Sequence, residues 1–408
     1  MAISLRESIT VGFSDFWSRK IRSLVTIVGI ILGTMSIIVV LALMKGINEQ
    51  TIAWMMERGG LSKISVYRNW TYDNPLNLNT NFTWREIDLI RSLIPEAKYF
   101  SAQERSWAQF KYRAKDYRSS VWGVTPDFTK IEEWEVESGR FINEFDMRQA
   151  NDVIVIGTEI RSELFGSKDP IGEFISLQNR RLQVIGVMRH RYLKNNNMIG
   201  GENSLAYLNR RAYIPISTMI HKGSGEDAIG GFTVKAADVE STPELKEKLE
   251  SIILNLRMGK PVFRVESAQE EAEKMAESQK SFQTIFFLIS TISLFVGGIV
   301  IANIMLATIQ ERTREIGIRI TVGARRRDIF LQFLVQTVLV TLIGGIMGVI
   351  FGLSILDVVS RFIKIDLIAG IEMIIIALVV SAGVGLLAGI IPAIVASKLN
   401  PVEALRYE

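Results

Sequence analysis

The stretch Ile301-Ala-Asn-Ile-Met-Leu-Ala-Thr-Ile-Gln-Glu-Arg-Thr-Arg-Glu-Ile-Gly-Ile-Arg-Ile-Thr-Val-Gly-Ala-Arg-Arg-Arg-Asp-Ile329 begins as the end of one apolar run and closes as the start of another. Between Gln310 and Asp328 stand six arginines: Arg312, Arg314, Arg319, Arg325, Arg326 and Arg327. A short loop this basic stays on the cytoplasmic side of a membrane. Its charges also have an order. Glu315 precedes Arg319 by four residues, the favourable direction for a helical ion pair. Ile309, Ile316 and Ile320 share roughly one helical face, and Gly323 supplies a stop. The pattern predicts a short charged helix held below a membrane by its apolar side. Two roles fit it: a positive-inside anchor, or a docking element for a cytoplasmic partner.

Outward from this loop, four long runs are nearly free of charge: Ile21–Met44, Phe282–Ala307, Ile329–Leu356 and Met373–Ala396. At 1.5 Å of rise per residue each can cross a hydrocarbon core of about 30 Å. Arg6, Arg19, Lys20 and Arg22 lie before or at the start of the first run, and Lys398 and Arg406 follow the fourth. Four spans with both termini inside put all the basic clusters in the cytoplasm and residues 46–280 outside. The first run is longer than a signal-peptide core and lacks a clear small-residue cleavage site. Small residues recur at four-residue spacing in the spans: Gly29 and Gly33, then Gly344, Gly348 and Gly352, then Gly385 and Gly389. Such spacing lets helix backbones approach closely.

The order predicted is an interfacial helix over 1–20, a first span over 21–44 and a stalk helix over 45–60. A globular domain fills 61–265, and a second stalk covers 266–281. A span over 282–308 then leads into the charged loop 309–328. A third span over 329–356, a connector over 357–372, a fourth span over 373–396 and a polar tail over 397–408 complete the chain. Within the domain, Leu61–Tyr67 alternates as a strand does. Thr83-Trp-Arg-Glu86 reads as a capping box opening a helix to Leu93. Short strand-like runs follow at Trp107–Tyr112, Val121–Val124, Val153–Ile156, Phe174–Leu177, Leu182–Val187 and Arg211–Ile214. Phe232–Ala236, a helix over Glu244–Leu256 and a strand at Val262–Val265 close the domain, and Asn195–Asn203 reads as a mobile loop. The fold class expected is an α-helical membrane protein of four transmembrane helices, with an α+β extracytoplasmic domain inserted between the first and second.

Several chemistries are disfavoured. There is no cysteine, so disulfides and thiolate metal sites are excluded. No phosphate-cradling Walker loop, zinc-protease motif or serine nucleophile elbow occurs. No catalytic residues and no metal site are expected, and His190 and His221 read as ordinary side chains of the domain. The carboxylates Glu132, Glu133, Glu135 and Glu137 read as a solvated surface or turn. Asn303, a polar residue within the second span, is assigned an interhelical hydrogen bond. No basic stripe interleaved with aromatics suggests nucleic acid.

Glu311-Arg-Thr-Arg-Glu-Ile-Gly-Ile-Arg319, followed by Val322-Gly-Ala-Arg-Arg-Arg-Asp328, closely resembles the signature of the MacB/FtsX/LolC-type ABC transporter permeases. So does the terminal Asn400-Pro-Val-Glu-Ala-Leu-Arg406, and Ile21–Gly33 looks like that family's first span. Trp122-Gly-Val-Thr-Pro126, Glu137-Ser-Gly-Arg140, Glu163-Leu-Phe-Gly166, Asp169-Pro-Ile-Gly172 and Val184-Ile-Gly-Val187 resemble its MacB-type periplasmic domain. The resemblance covers nearly the whole chain. It implies a permease homodimer working with two cytoplasmic ABC ATPase subunits, which would carry the ATP and Mg. The helix after span two would be the coupling helix, with Glu311, Arg312, Arg314, Glu315, Gly317 and Arg319 contacting the ATPase. The stalks would pass ATP-driven motion to the outer domain, a mode called mechanotransmission, with no substrate path through the spans.

MacB itself carries a fused N-terminal ATPase; this chain starts 20 residues before span one, so a separate ATPase polypeptide is expected. Pro392 is followed by Ala-Ile-Val-Ala-Ser-Lys398 where many relatives are arginine-rich. The expected task is export or relocation of amphiphiles such as peptides, antibiotics or lipids, with a periplasmic adaptor where the organism has an outer membrane. The alternatives are lipoprotein release of the LolC/E kind and FtsX-like control of a cell-wall hydrolase.

Overall fold

A computed structural model describes residues 20–177, 180–192, 203–220, 228–363 and 365–406, with the backbone alone at 20–26, 405 and 406. The interfacial helix expected before residue 20 and nearly all of the Asn195–Asn203 loop lie outside the described residues. The chain divides into two compact units, one of residues 1–48 and 278–408, the other of residues 49–277.

The first unit is helical. Its chain passes through α1 (Lys20–Met56), α9 (Ala268–Glu311), α10 (Thr313–Thr321), α11 (Arg326–Ile363), α12 (Ile371–Ser397) and α13 (Pro401–Arg406). Four of these, α1, α9, α11 and α12, are long and apolar enough to cross a membrane. Ile30, Ile37, Ile38, Leu294, Ile301, Ile329, Phe333 and Val384 form part of their shared core. The elements outrun the hydropathy. Helix α11 continues through Asp357 to Ile363, although charge begins at Asp357. The tail, read as polar chain, contains α13, opened by Asn400 accepting from the backbone of Val402 and by Pro401 at the first helical position.

The predicted small-residue positions all lie where helices meet. A Cβ on Gly29 would sit 3.2 Å from the Cα of Gly297, and one on Gly33 3.0 Å from Leu294. These seat α1 against α9. Gly344, Gly348 and Gly352 face Ile30, Thr34 and Ile38 at 3.0, 2.7 and 3.4 Å, seating α11 against α1. Gly389 meets Thr337 at 2.9 Å, and a Cβ on Gly385 would overlap the Thr341 hydroxyl, so α12 closes on α11. Gly297, Gly298 and Gly345 make equally close contacts that the four-residue spacing did not single out. Asn303 is exposed on α9 and makes no side-chain hydrogen bond among the described residues. The polar contacts between spans are instead Ser36 with Ser290 (2.8 Å) and Ser381 Oγ donating to the Thr341 carbonyl (3.1 Å). Short hydroxyls bond where backbones already touch; Asn303 faces away from that seam.

The second unit is a mixed α and β domain. In chain order it holds β1 (Lys63–Arg68), α2 (Trp84–Leu93), β2 (Tyr99–Tyr112), β3 (Lys115–Val124), α3 (Phe128–Glu132), β4 (Val136–Gly139) and α4 (Glu144–Gln149). There follow β5 (Val153–Ile156), α5 (Thr158–Phe165), β6 (Phe174–Leu177), β7 (Arg180–Met188), α6 (Ala206–Asn209), β8 (Ala212–Pro215) and α7 (Ile216–Met219). The last elements are β9 (Gly231–Lys235), α8 (Thr242–Leu256) and β10 (Phe263–Ser267). The expected helix at Thr83 carries its capping box, with Thr83 Oγ1 accepting from Glu86 and Glu86 accepting from the Thr83 backbone. Strands run in the order β10-β1-β9-β2-β3-β8-β5-β7-β4, and β6 pairs with both β2 and β7. The first four are antiparallel and pack a core with α2 and α8 that includes Ile64, Phe82, Ile90, Phe232 and Leu249. The pairings β2-β3-β8-β5-β7-β6-β2 close a ring of six strands, which leaves those strands fewer free edges. Its core includes Phe110, Ile154, Ile175 and Val184.

The Gly385 contact yields a direct test. Adding a branched side chain there overpacks a closed seam and costs about 1–3 kcal/mol. Gly383, two residues away, has nothing within 4 Å of an added Cβ. Gly385→Val is expected to lower the thermal unfolding midpoint of the detergent-solubilised chain, and Gly383→Ala to leave it unchanged. Equal melting of the two variants would disprove the seam.

Candidate functional site

The charged helix below the spans starts later than its sequence pattern. Gln310 and Glu311 finish α9, Arg312 steps out of helical geometry (φ −104°), and α10 begins at Thr313. Thr313 is buried, and its hydroxyl donates to the carbonyls of Ile309 (3.0 Å) and Gln310 (2.8 Å), tying the two helices at the corner. Ile309 and Ile316 are buried and Ile320 half-buried, as their common face requires. Gly317 is buried on the same side: a Cβ there would lie 2.7 Å from the Cβ of Ala404 on α13. Gly323, at φ +105°, ends the turn that follows α10.

The opposite side of α10 is open. Arg314, Glu315, Ile318 and Thr321 are exposed, and Val322 beyond the helix is 84% exposed. Glu311 is exposed at the end of α9, as are Arg325, Arg326 and Arg327 at the approach to α11. The expected Glu315–Arg319 ion pair is not made. Arg319 Nη1 instead donates to Oε1 of the buried Gln332 on α11, at 3.0 Å. A charge-assisted bond to a buried amide outweighs an exposed pair worth only about 0.3–0.5 kcal/mol. Glu315 is thus left without an ion pair among the described residues. The surface offered is mixed, with charge on Arg314 and Glu315 and apolar area on Ile318 and Val322.

Within the second unit, the last turns of α1 are clasped by the segment around α3. Arg58 stacks 4.2 Å over the Trp54 ring. Gly59 turns the chain at φ +97°, and a Cβ there would overlap the Ile131 carbonyl. Lys63, half-buried, and the buried Glu132 form an ion pair. Burial pulls the Lys63 ammonium below the ordinary lysine range, and Glu132 opposes that pull. The Glu132 carbonyl accepts from Arg191 Nη2 at 2.7 Å, and Glu133 pairs with Lys235. The carboxylate run is therefore not uniformly solvated: Glu132 is buried, with the half-buried Lys63, far away in the chain, paired to it. His190 Nδ1 lies 2.8 Å from Thr158 Oγ1, and His221 lies outside the described residues. Among the described residues no group of three or more His, Cys, Asp or Glu side chains could hold a metal.

Removing one member of such a pair strands a buried charge, at a cost of roughly 3–5 kcal/mol, whereas apolar replacement of both is often neutral. Glu132→Ala is expected to shift urea unfolding of the domain, followed by tryptophan fluorescence in the full chain, to much lower denaturant. The double variant Lys63→Met/Glu132→Leu should recover most of the loss. No recovery would mean that the pair's remaining hydrogen bonds matter more than its charge.

A family model of MacB-like periplasmic core domains matches residues 23–252, and one of FtsX-like permease C-terminal regions matches residues 287–401. The chain is 29% identical to the macrolide export ATP-binding/permease protein MacB of Bdellovibrio bacteriovorus, over 98% of this chain and 62% of that one. It is 31% identical to the pyoverdine export ATP-binding/permease protein PvdT of Pseudomonas savastanoi pv. phaseolicola, over 99% and 60%. With MacB of Neisseria gonorrhoeae it shares 32% identity, over 98% and 61%. The chain thus spans about three fifths of the length of these relatives. The periplasmic region of MacB from Actinobacillus actinomycetemcomitans aligns with 54% of this chain and 95% of its own, at 18% identity and a TM-score of 0.45.

Proposed function

The chain belongs to the MacB-like permeases with an FtsX-like C-terminal region, and from that premise we propose that it couples a cytoplasmic ABC ATPase to work done by its extracytoplasmic domain. In this reading the ATPase is a separate polypeptide and the permease acts as a homodimer, with both termini in the cytoplasm. The ATPase docks on the open side of α10, and α1 and α9 carry the stroke outward. The material moved is an amphiphile, handled on the outer side of the membrane, with a periplasmic adaptor where there is an outer membrane.

One observation carries the reading: α10 is held firmly on one side and left bare on the other. Thr313, Ile316 and Gly317 are buried, with Gly317 against Ala404, while Arg314, Glu315 and Ile318 are free to meet a partner. A mere anchor needs positive charge, and Glu315 subtracts from it. Truncating one side of a desolvated charge pair costs roughly 2–5 kcal/mol. Glu315→Ala is therefore expected to leave insertion intact yet release the ATPase during co-purification, or uncouple its ATP turnover in the reconstituted complex. Glu315→Arg should be worse, although it strengthens the positive-inside signal. Wild-type assembly and turnover in both variants would return this loop to the role of an anchor.

Orientation is tested separately. The chain has no cysteine, so single cysteines report cleanly. Met258 in the domain is 76% exposed and Val322 beside α10 is 84% exposed. A membrane-impermeant thiol reagent applied from outside should label Met258→Cys and not Val322→Cys. The reverse pattern would invert the proposed topology.

A further inference from the structure

Asn303 stands in the apolar part of α9, exposed, and its carboxamide meets no partner among the described residues. The corner at Arg312 is about 13 Å of helix away, and a carboxamide on a single methylene cannot snorkel that far as lysine or arginine does. Other exposed polar side chains of the spans are satisfied by their own helix. Ser293 Oγ donates to the Ile289 carbonyl (3.0 Å), and Ser354 Oγ to that of Ile350 (2.9 Å). The carboxamides of Gln332 and Gln336 on α11 are buried inside the unit. Asn303 has neither solution, and an amide left bare in hydrocarbon is costly.

The face on which it stands is regular. Ile285, Ile289, Ile292, Val296 and Ile299, each more than half exposed, lead to Asn303 at intervals of four, three, four, three and four residues. At 3.6 residues per turn these six side chains fall within about 80° of the helix. Leu294, Gly297, Gly298 and Ile301, which pack into the unit's own core, lie on the opposite side. The stripe therefore points straight out of the unit.

Apolar exposure alone means little in a membrane, where lipid covers such a face at no cost. This face carries two further features. Its repeat averages 3.5 residues, the period of a seam between two helices wound about each other, and its apolar members are all β-branched, with little rotamer freedom to lose. The outward side of α11, with Ile346, Met347, Ile350 and Phe351, has no such uniformity. The second feature is Asn303 itself, on the line of the seam. A carboxamide holds both a donor and an acceptor. The same group on an identical helix, related by a two-fold axis, satisfies both. Two copies inserted with one topology also present α9 in the same direction.

We propose that α9 pairs with α9 of a second copy of this chain along this stripe, parallel and in register, with the two Asn303 carboxamides hydrogen-bonded to each other across the two-fold axis. A slip of one turn would strand both amides in lipid, so the asparagine fixes the register. The inference rests on the homodimer reading above and names its seam; it needs no ATPase.

The test uses the full chain in isolated membranes of an expressing host, with two differently tagged copies co-expressed. Single cysteines report cleanly in a chain that has none. Oxidation with copper phenanthroline should join Ile292→Cys and Ile299→Cys each to its own copy at least fivefold faster than two exposed controls, Phe286→Cys on the flank of α9 and Ile350→Cys on α11. Adding Asn303→Val to Ile292→Cys should slow that cross-linking at least threefold, and adding Asn303→Gln, which keeps the carboxamide, should slow it less. The proposal fails if all four cysteines join at one rate, as they would with lipid on this face; if the stripe cysteines join only a host protein; or if Asn303→Val cross-links like its parent. Tagged copies that co-purify from mild detergent while the stripe cysteines fail would keep the homodimer and remove the α9 seam. Copies that never co-purify would remove the homodimer and the seam with it.

Discussion

Lipid gives two apolar helices no hydrophobic reason to touch, because the tails around them are as apolar as they are. What holds the helical unit together is the removal of side chains where backbones meet. Gly385 leaves room for Thr341, Gly29 and Gly297 face each other, and Gly344 and Gly348 receive Ile30 and Thr34. With the backbones this close, dispersion contacts multiply, and short hydroxyls such as Ser381 can reach a neighbouring carbonyl. The exposed flanks need no such refinement. Ile346 and Ile350 simply stay exposed on the helix surfaces.

The outer domain solves the opposite problem. It has water around it and a hydrophobic core within, so its distinctive contacts are polar ones placed where burial makes them costly to break. Arg257 ties the loop before α2, the capping glutamate Glu86 and the end of α8 into one knot, with Phe82 and Phe263 against its guanidinium plane. Lys63 and Glu132 do similar work beside the end of α1. Such groups favour one arrangement of the chain, because displacement strands a charge out of water.

Much of this was legible in the sequence. The four spans follow from hydropathy, and the capping box at Thr83 from four residues. The outermost strand–helix and strand–helix–strand units, with an insertion between them, also read correctly. What stayed hidden depends on distant partners. Nothing local to Glu132 distinguishes it from the exposed Glu135 and Glu137; Lys63 does. Glu315 and Arg319 have ideal spacing, and only the fold reveals that Gln332 takes the arginine. The six-strand ring joins β2 to β6 across some sixty residues, beyond the reach of periodicity. The missed helix α13 was within reach, since Asn400-Pro401 is a helix-start signal that a polar tail concealed.

The join between β10 and α9 has a kinematic meaning. Ser267 is the last residue of the strand, and its hydroxyl accepts from Glu270 to cap the helix that begins at Ala268. No linker residue stands between them. Glu270 in that first turn is gripped by Lys246 of α8 at 2.6 Å, and Ser267 is hydrogen-bonded in register with Ile64 of β1. A loop at this point would absorb small rotations as backlash. Here no loop separates the first turn of α9 from the end of β10, and the contacts of Ser267 and Glu270 stiffen the joint rather than leaving it a hinge.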